Sequence, residues 1–300
     1  MKTLLIAGAN GFLARYLTRY FVAKGWRVVG LARRQQGMDK GCRYVNWDGR
    51  TLGGWAGEVD GCDVVLNLAG RSVNCRYNNA NKAEITDSRV NSTRVLGEAI
   101  AACGRPPELW MNASTATLYR HAEDHPQSEE GDLGEGFSVG VAKAWEAAFF
   151  EASVPGKVRK VAMRMSMVLA DEPGTVYRYL LNLSKYFLGG QVGSGKQMVS
   201  WIHIEDVCRS IDWIIGHGQL TGPINITAPY PICNAEVMRR FRKLAGRSFG
   251  LPATEWMAGI GAFFLRTETE LILKSRWVVP TRLQADGFVF RHPELKPEDG

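Results

Sequence analysis

The chain has 300 residues, 45% of them hydrophobic and 22% charged, with a net charge of +7 from 37 basic and 30 acidic side chains. This composition excludes low-complexity, fibrous and disulfide-dense classes, and no repeat period is present. The length leaves room for one large α/β unit with a smaller lobe, and the modest positive charge suits anionic ligands without pointing to nucleic acid.

Lys2 to Ala7 is a short apolar run of strand length that breaks at Gly8. From Gly11 onward Phe12, Leu13, Tyr16, Leu17, Tyr20 and Phe21 recur at helical spacing, with Arg15 and Arg19 between them. A second strand, Trp26 to Leu31, follows Gly25. Strand, glycine turn, helix and strand within about thirty residues make one βαβ unit. Its turn presents free N–H groups where the helix dipole favours an anion, so the expected ligand is a dinucleotide pyrophosphate. The spacing is G-x-x-G-x-x-A: Gly8 serves the tight turn, Gly11 the close approach of backbone to phosphate, and Ala14 the packing of helix on strand. Gly8, Asn10, Gly11, Phe12 and Leu13 are therefore candidate cofactor contacts. After the second strand the chain reads Gly30-Leu31-Ala32-Arg33-Arg34, with no acid for a ribose hydroxyl. Two guanidiniums suit a 2′-phosphate, which favours NADP(H) over NAD(H).

Arg43 to Trp47 reads as a third strand, and the glycine-rich stretch Asp48 to Asp60 has room for one turn of helix. Asp63 to Gly70 is a fourth strand running into another glycine turn. The carboxyl ends of such strands line the ligand crevice. That places Leu68, Ala69 and Gly70 near the cofactor and Arg71 near the substrate. Ile85 to Ala102 is helical. Glu108 to Ala113 forms strand five, and the hydroxyl-rich Ser114-Thr115-Ala116-Thr117-Leu118-Tyr119 follows it. Arg120 to Glu135 is a polar loop whose His121, Glu123, Asp124 and His125 read as solvated rather than metal-binding. Phe137 to Ala152 is a helix, Val158 to Val168 a strand containing Arg164, and Tyr177 to Phe187 a helix.

Gly189 to Lys196 is a glycine-rich loop expected to face the substrate. Val199 to Ile204 is strand-like, Glu205-Asp206 opens a helix over Val207 to Ile215, and Pro223 to Thr227 is a further strand. A helix over Ala235 to Leu244 carries the densest basic stretch, Arg239 to Lys243, read as a solvated face. An apolar segment (Trp256 to Leu265), a helix around Thr269 to Lys274 and the closing Gly287-Phe288-Val289-Phe290 complete the chain. The apolar segment is too short to span a bilayer. The six cysteines show neither a C-x-x-C pair nor ligand spacing, so free thiols in a reduced cytoplasm are expected, with no metal.

Several segments together resemble the extended, atypical short-chain dehydrogenase/reductase family, in its epimerase/dehydratase-like branch with a conserved C-terminal extension, some members of which were labelled cell-division inhibitors. The carriers are Ile6 to Leu13, Val65 to Gly70, Ser88 to Thr93, Trp145-Glu146, Gly193 to Gln197, Trp201 to Asp206, and Pro280 to Leu283 with Gly287 to Phe290. The resemblance implies a Rossmann-type doubly wound parallel sheet with a smaller C-terminal α+β substrate lobe. The expected division is a nucleotide-binding domain at 1–170 plus about 200–228, and a substrate lobe at 171–199 and 229–300. It further implies NAD(P) at Gly8 to Leu13, with Arg33 matching an arginine typical of the branch; Ala113, Ser114 and Arg164 are further candidate cofactor contacts. Active members use a Ser or Thr after strand five with a Tyr-x-x-x-Lys pair. Thr115 matches the hydroxyl, but the Tyr and Lys positions fall on Ser138 and Ala142. Lys143 lies about 100° round the helix from the lysine position.

The usual dyad is thus absent. Two functions stay open: an NADP-dependent oxidoreductase or epimerase-like enzyme, or a non-catalytic NADP-binding redox sensor or regulator. For the enzyme, Tyr119 and His203 are candidate proton partners, Ser114 and Thr115 orient the oxygen, and Arg71, Gln197 and Trp201 face a small-molecule substrate, by fold analogy a nucleotide sugar. The expected partners are that substrate and a second copy of the chain in a homodimer, with neither nucleic acid nor membrane.

Overall fold

The computed structural model describes residues 1–254 and 274–296. In chain order these form β1 (Thr3–Ala7), α1 (Phe12–Ala23), β2 (Arg27–Ala32), β3 (Cys42–Asn46), β4 (Val64–Asn67), α2 (Asn79–Ala101), β5 (Leu109–Thr115), α3 (Phe137–Phe150), β6 (Arg159–Met165) and β7 (Met167–Leu169). Then come α4 (Val176–Lys185), β8 (Met198–Val199), β9 (Trp201–His203), α5 (Ile204–Gly216), β10 (Gly222–Ile226), β11 (Ile232–Cys233), α6 (Asn234–Leu244) and α7 (Thr281–Ala285).

Seven strands form one sheet in the order β10-β6-β5-β4-β1-β2-β3, each neighbour parallel to the next. Both faces are covered, which is why the strands read as continuous apolar runs. Leu4 and Ile6 of β1 pack with Leu13, Leu17 and Phe21 of α1 and Val207, Ile211 and Ile214 of α5. Leu5 and Ala7 point the other way, toward Val95, Leu96 and Ile100 of α2 and Phe149 of α3. The strand order reverses between β1 and β4, and the crevice beyond their carboxyl ends is where a doubly wound sheet takes its ligand. A third core joins Leu169, Tyr177, Leu181, Trp201, Ala228, Val237 and Phe241.

Two expected strands are each cut by a serine. The Ser166 N–H donates to the Ile226 carbonyl (3.1 Å), after which β7 leaves the large sheet to pair with β9. The Ser200 hydroxyl donates to the Arg276 carbonyl and accepts from the Val278 N–H, both at 2.7 Å, separating β8 from β9. Helix α2 starts six residues earlier than its apolar period shows, because the Asn78 side chain caps it by accepting from the Asn81 N–H. The short α7 was not anticipated. Its signal was Gly287 (φ +86°), where Phe288 N–H returns to the Leu283 carbonyl in the left-handed ending that favours glycine. The expected apolar segment and the body of the helix before Lys274 lie outside the described residues. Among the described residues no helix is long and apolar enough to cross a membrane.

Candidate active site

The turn after β1 is built for close approach. Gly8 has φ +80°, and a Cβ there would meet the Ala69 backbone at 3.0 Å, so the β1 and β4 turns touch. Gly11 caps α1 with no side-chain hydrogen bond, and the first turn holds no acid. The orphan N–H groups of that turn are left for a ligand. Gly8, Gly11, Phe12, Leu13 and Ala14 form one end of a cavity of about 340 Å³. Arg33 and Arg34 are exposed just beyond β2, and the next acid, Asp39, is engaged by Arg19.

The ends of β4 and β5 are fixed by buried amides. Asn67 donates to Asn112 (2.7 Å) and Thr93 (3.1 Å), and its own oxygen accepts the Ala69 N–H. Trp145 of α3 donates to the same Thr93 hydroxyl, which ties α3 to α2. Leu68, Ala113, Ser114 and Thr115 continue the cavity from this end. Ser114 spends its proton on Glu146 (2.6 Å). Thr115 accepts from the Thr117 N–H, which leaves its own hydroxyl proton to donate.

Behind Ser114 lies a sealed network. Glu146 receives two bonds from Arg164, at 2.9 and 2.8 Å, and both side chains are buried. Burial works against the Arg164 charge, but Glu146 outweighs it and holds the pKa above its ordinary value. Tyr119 is 1% exposed. It donates to Asn225 (2.7 Å) and accepts from Arg164 (2.9 Å). Burial pushes its phenol above the ordinary value in spite of Arg164.

The structure therefore divides the sequence-derived candidates. Gly8, Gly11, Phe12, Leu13, Leu68, Ala113, Ser114 and Thr115 share the cavity, and Asn10, Ala69 and Gly70 adjoin its lining residues in the chain. Tyr119 and Arg164 belong to the buried network and do not line it. Arg71 lies outside as well, held by Asn81 and paired with Glu84. Gln197 bonds the Val192 carbonyl, and Trp201 sits in the third core bonded to the Tyr230 carbonyl. His203 caps α5 through Nδ1 and packs on His292 with ring centres 3.8 Å apart. His203, Glu205 and His292 place potential ligand atoms within 4.8 Å of one another, but Glu205 is already engaged by Arg291 and His292. Loop 189–196 docks against 251–253 and does not reach the cavity.

Sequence reasoning missed the wall supplied by α2 and its approach. Tyr77 and Arg89 both line the cavity, facing Phe137, Ser138 and Ala142 of α3. The Tyr77 ring meets Phe137 edge-on at 4.9 Å. Arg89 donates from Nη1 to the carbonyls of Arg71 (3.0 Å) and Ile85 (2.9 Å) and lies over the Trp145 ring at 5.1 Å. Burial lowers its pKa from the ordinary value. Gly70 is small for this reason: a Cβ would stand 3.2 Å from the guanidinium carbon.

A parallel sheet with a bare glycine-to-helix turn at its crossover defines a dinucleotide-binding α/β protein of the Rossmann type. Residues 4–227 match the NAD dependent epimerase/dehydratase family, and the chain belongs to it. Residues 255–297 match a domain of unknown function, DUF1731. The epimerase family protein SDR39U1 of Bos taurus is 32% identical over 299 residues, covering 97% of this chain and 96% of its own. The crystal structure of human epimerase family protein SDR39U1 (isoform 2) with NADPH superposes at a TM-score of 0.86 with 28% identity, covering 98% and 97% of the two chains. A nucleoside-diphosphate sugar epimerase from Corynebacterium glutamicum gives a TM-score of 0.77 at 30% identity, covering 98% of this chain and 56% of that one.

Proposed function

We propose that the chain is an NADP(H)-dependent oxidoreductase or epimerase-like enzyme acting on a small molecule, with nucleotide sugars as the first class to try. One observation carries the reading: a single cavity runs from the bare start of α1 to the hydroxyls of Ser114 and Thr115. The residues fit a nicotinamide dinucleotide, since the first turn of α1, from Phe12, presents orphan N–H groups with no competing acid, while Gly8, Ala9 and Gly11 spend theirs on holding the turn. When bound, that group supplies or accepts a hydride. Thr115, with its proton free, orients a substrate oxygen. Arg33 and Arg34 suit a 2′-phosphate, and NADPH in the human relative's crystal structure supports that choice. The third core, with 171–199 and 229 onward, is the side we assign to substrate. Free cysteines at all six positions fit the cytoplasm.

The positions of the usual dyad, Ser138 and Ala142, favour the second reading, a non-catalytic NADP-binding regulator. Fluorescence titrations of wild type and Arg33→Ala with NADPH and NADH test the cofactor. The NADPH/NADH affinity ratio should fall by about tenfold, the order of one charge-assisted contact. An unchanged ratio removes the argument for NADP. Turnover of NADPH with a carbonyl and nucleotide-sugar panel separates the readings. Tight binding with no turnover on any member selects the regulator.

A further inference from the structure

We propose that Tyr77 is the proton donor and acceptor of this cavity and that Arg89 is the cation that readies it, an acid/base pair carried on α2 and its approach rather than on α3. The inference rests on the oxidoreductase reading above. Reducing a carbonyl requires a proton as well as a hydride, and the proton must come from a group that reaches the substrate. Among the described residues that line the cavity there is no Asp, Glu, His, Lys or Cys. The two ionisable side chains are Tyr77 and Arg89, and an arginine does not give up its proton in a protein. Ser114, Thr115, Thr117 and Ser138 are alcohols, far weaker acids than a phenol. Ser114 touches a carboxylate, but Glu146 is locked by two bonds from Arg164 and does not line the cavity.

Position agrees with chemistry. Phe137 fixes the Tyr77 ring edge-on, and the next residue, Ser138, lines the same cavity. Arg89 is held by two backbone carbonyls and the face of Trp145. None of these neutralises its charge, so the charge is left for a phenolate; the attraction between Tyr77 and Arg89 opposes the effect of burial on the arginine. In the reductive direction a bound reduced dinucleotide would supply the hydride for the new C–H bond at the substrate carbon. The carbonyl π pair becomes an O–H bond using the Tyr77 proton. The phenolate, in the field of Arg89 on the same cavity wall, regains a proton from water, since Tyr77 is partly exposed. In the oxidative direction the phenolate takes the proton of the substrate alcohol.

Ultraviolet difference titration of tyrosine ionisation on the ligand-free protein tests this without any substrate. One of the nine tyrosines should ionise below the ordinary phenol value of about 10. That step should vanish in Tyr77→Phe, move to higher pH in Arg89→Met, and persist in Tyr119→Phe. NADPH affinity should survive in Tyr77→Phe while turnover falls about 100-fold or more. If wild type and Tyr77→Phe titrate alike below pH 10, or Tyr77→Phe turns over at the wild-type rate, the assignment is wrong and the oxidoreductase reading stands. Failure of wild type to bind NADPH removes both.

Discussion

Two of the tyrosine–arginine pairs among the described residues are put to opposite use. Tyr119 and Arg164 lie behind β5 and β6, completed by Glu146 and Asn225 into a network closed to solvent. Tyr77 and Arg89 stand on the cavity wall, where two backbone carbonyls and the Trp145 ring support the arginine and, among the described residues, no carboxylate is paired with it. The carboxylate makes the difference. With an acid in reach the cation becomes a structural rivet. Without one it keeps its field for whatever enters.

Removing the acid should break the comparison most strongly. Glu146→Ala leaves Arg164 charged, buried and unpaired, and unfolding free energy in urea should drop by about 3–5 kcal/mol. A loss under about 1 kcal/mol would mean that the network is not the rivet described. Next in size is Tyr119→Phe, which deprives Asn225 and Arg164 of a buried partner and should cost about 1–3 kcal/mol. It has a pH signature too. Burial raises the folded-state pKa of Tyr119, so the fold keeps this proton more tightly than the open chain does. Its stabilising contribution is fully present below about pH 10, the unfolded phenol value, and is lost as pH rises through the higher folded value. Tyr119→Phe should flatten that alkaline loss in thermal melts. Smallest is Arg89→Met, which removes a cation over an indole and its bonds to two backbone carbonyls but leaves no buried charge unpaired, and should cost about 1–2 kcal/mol. If it destabilises as much as Glu146→Ala, the two arginines are not different in kind.

The cofactor end of the cavity was legible because it is local. Strand, glycine turn, helix and strand occupy one short stretch, and each residue type there has a backbone reason to be where it is. The opposite wall was not legible. Tyr77 sits in a polar connection with no periodicity, and the first residues of α2 carry no apolar stripe, so the apolar period starts the helix holding Arg89 only at Ile85. Arg89 also reads as a surface charge until Trp145 is folded over it. Tyr119 and His203 stand at strand ends, but a strand end marks the crevice only when its side chain turns outward. In Tyr119 the chain turns back toward Asn225, and in His203 it caps the following helix. Neither choice is written in local spacing, since each depends on residues about a hundred positions away or on helix geometry.

The Ser200 hydroxyl, which joins the Arg276 carbonyl to the Val278 N–H, bears on how the polypeptide matures during synthesis. The strands β1 to β6 leave the ribosome with everything they need to pair except β10. The junction between β8 and β9 has no such independence, because its closing partners are made more than seventy residues later. Asp206 waits still longer, for the N–H groups of Arg291 and His292. A nascent chain that ends before position 275 already contains every strand of the large sheet but lacks both closing partners of Ser200.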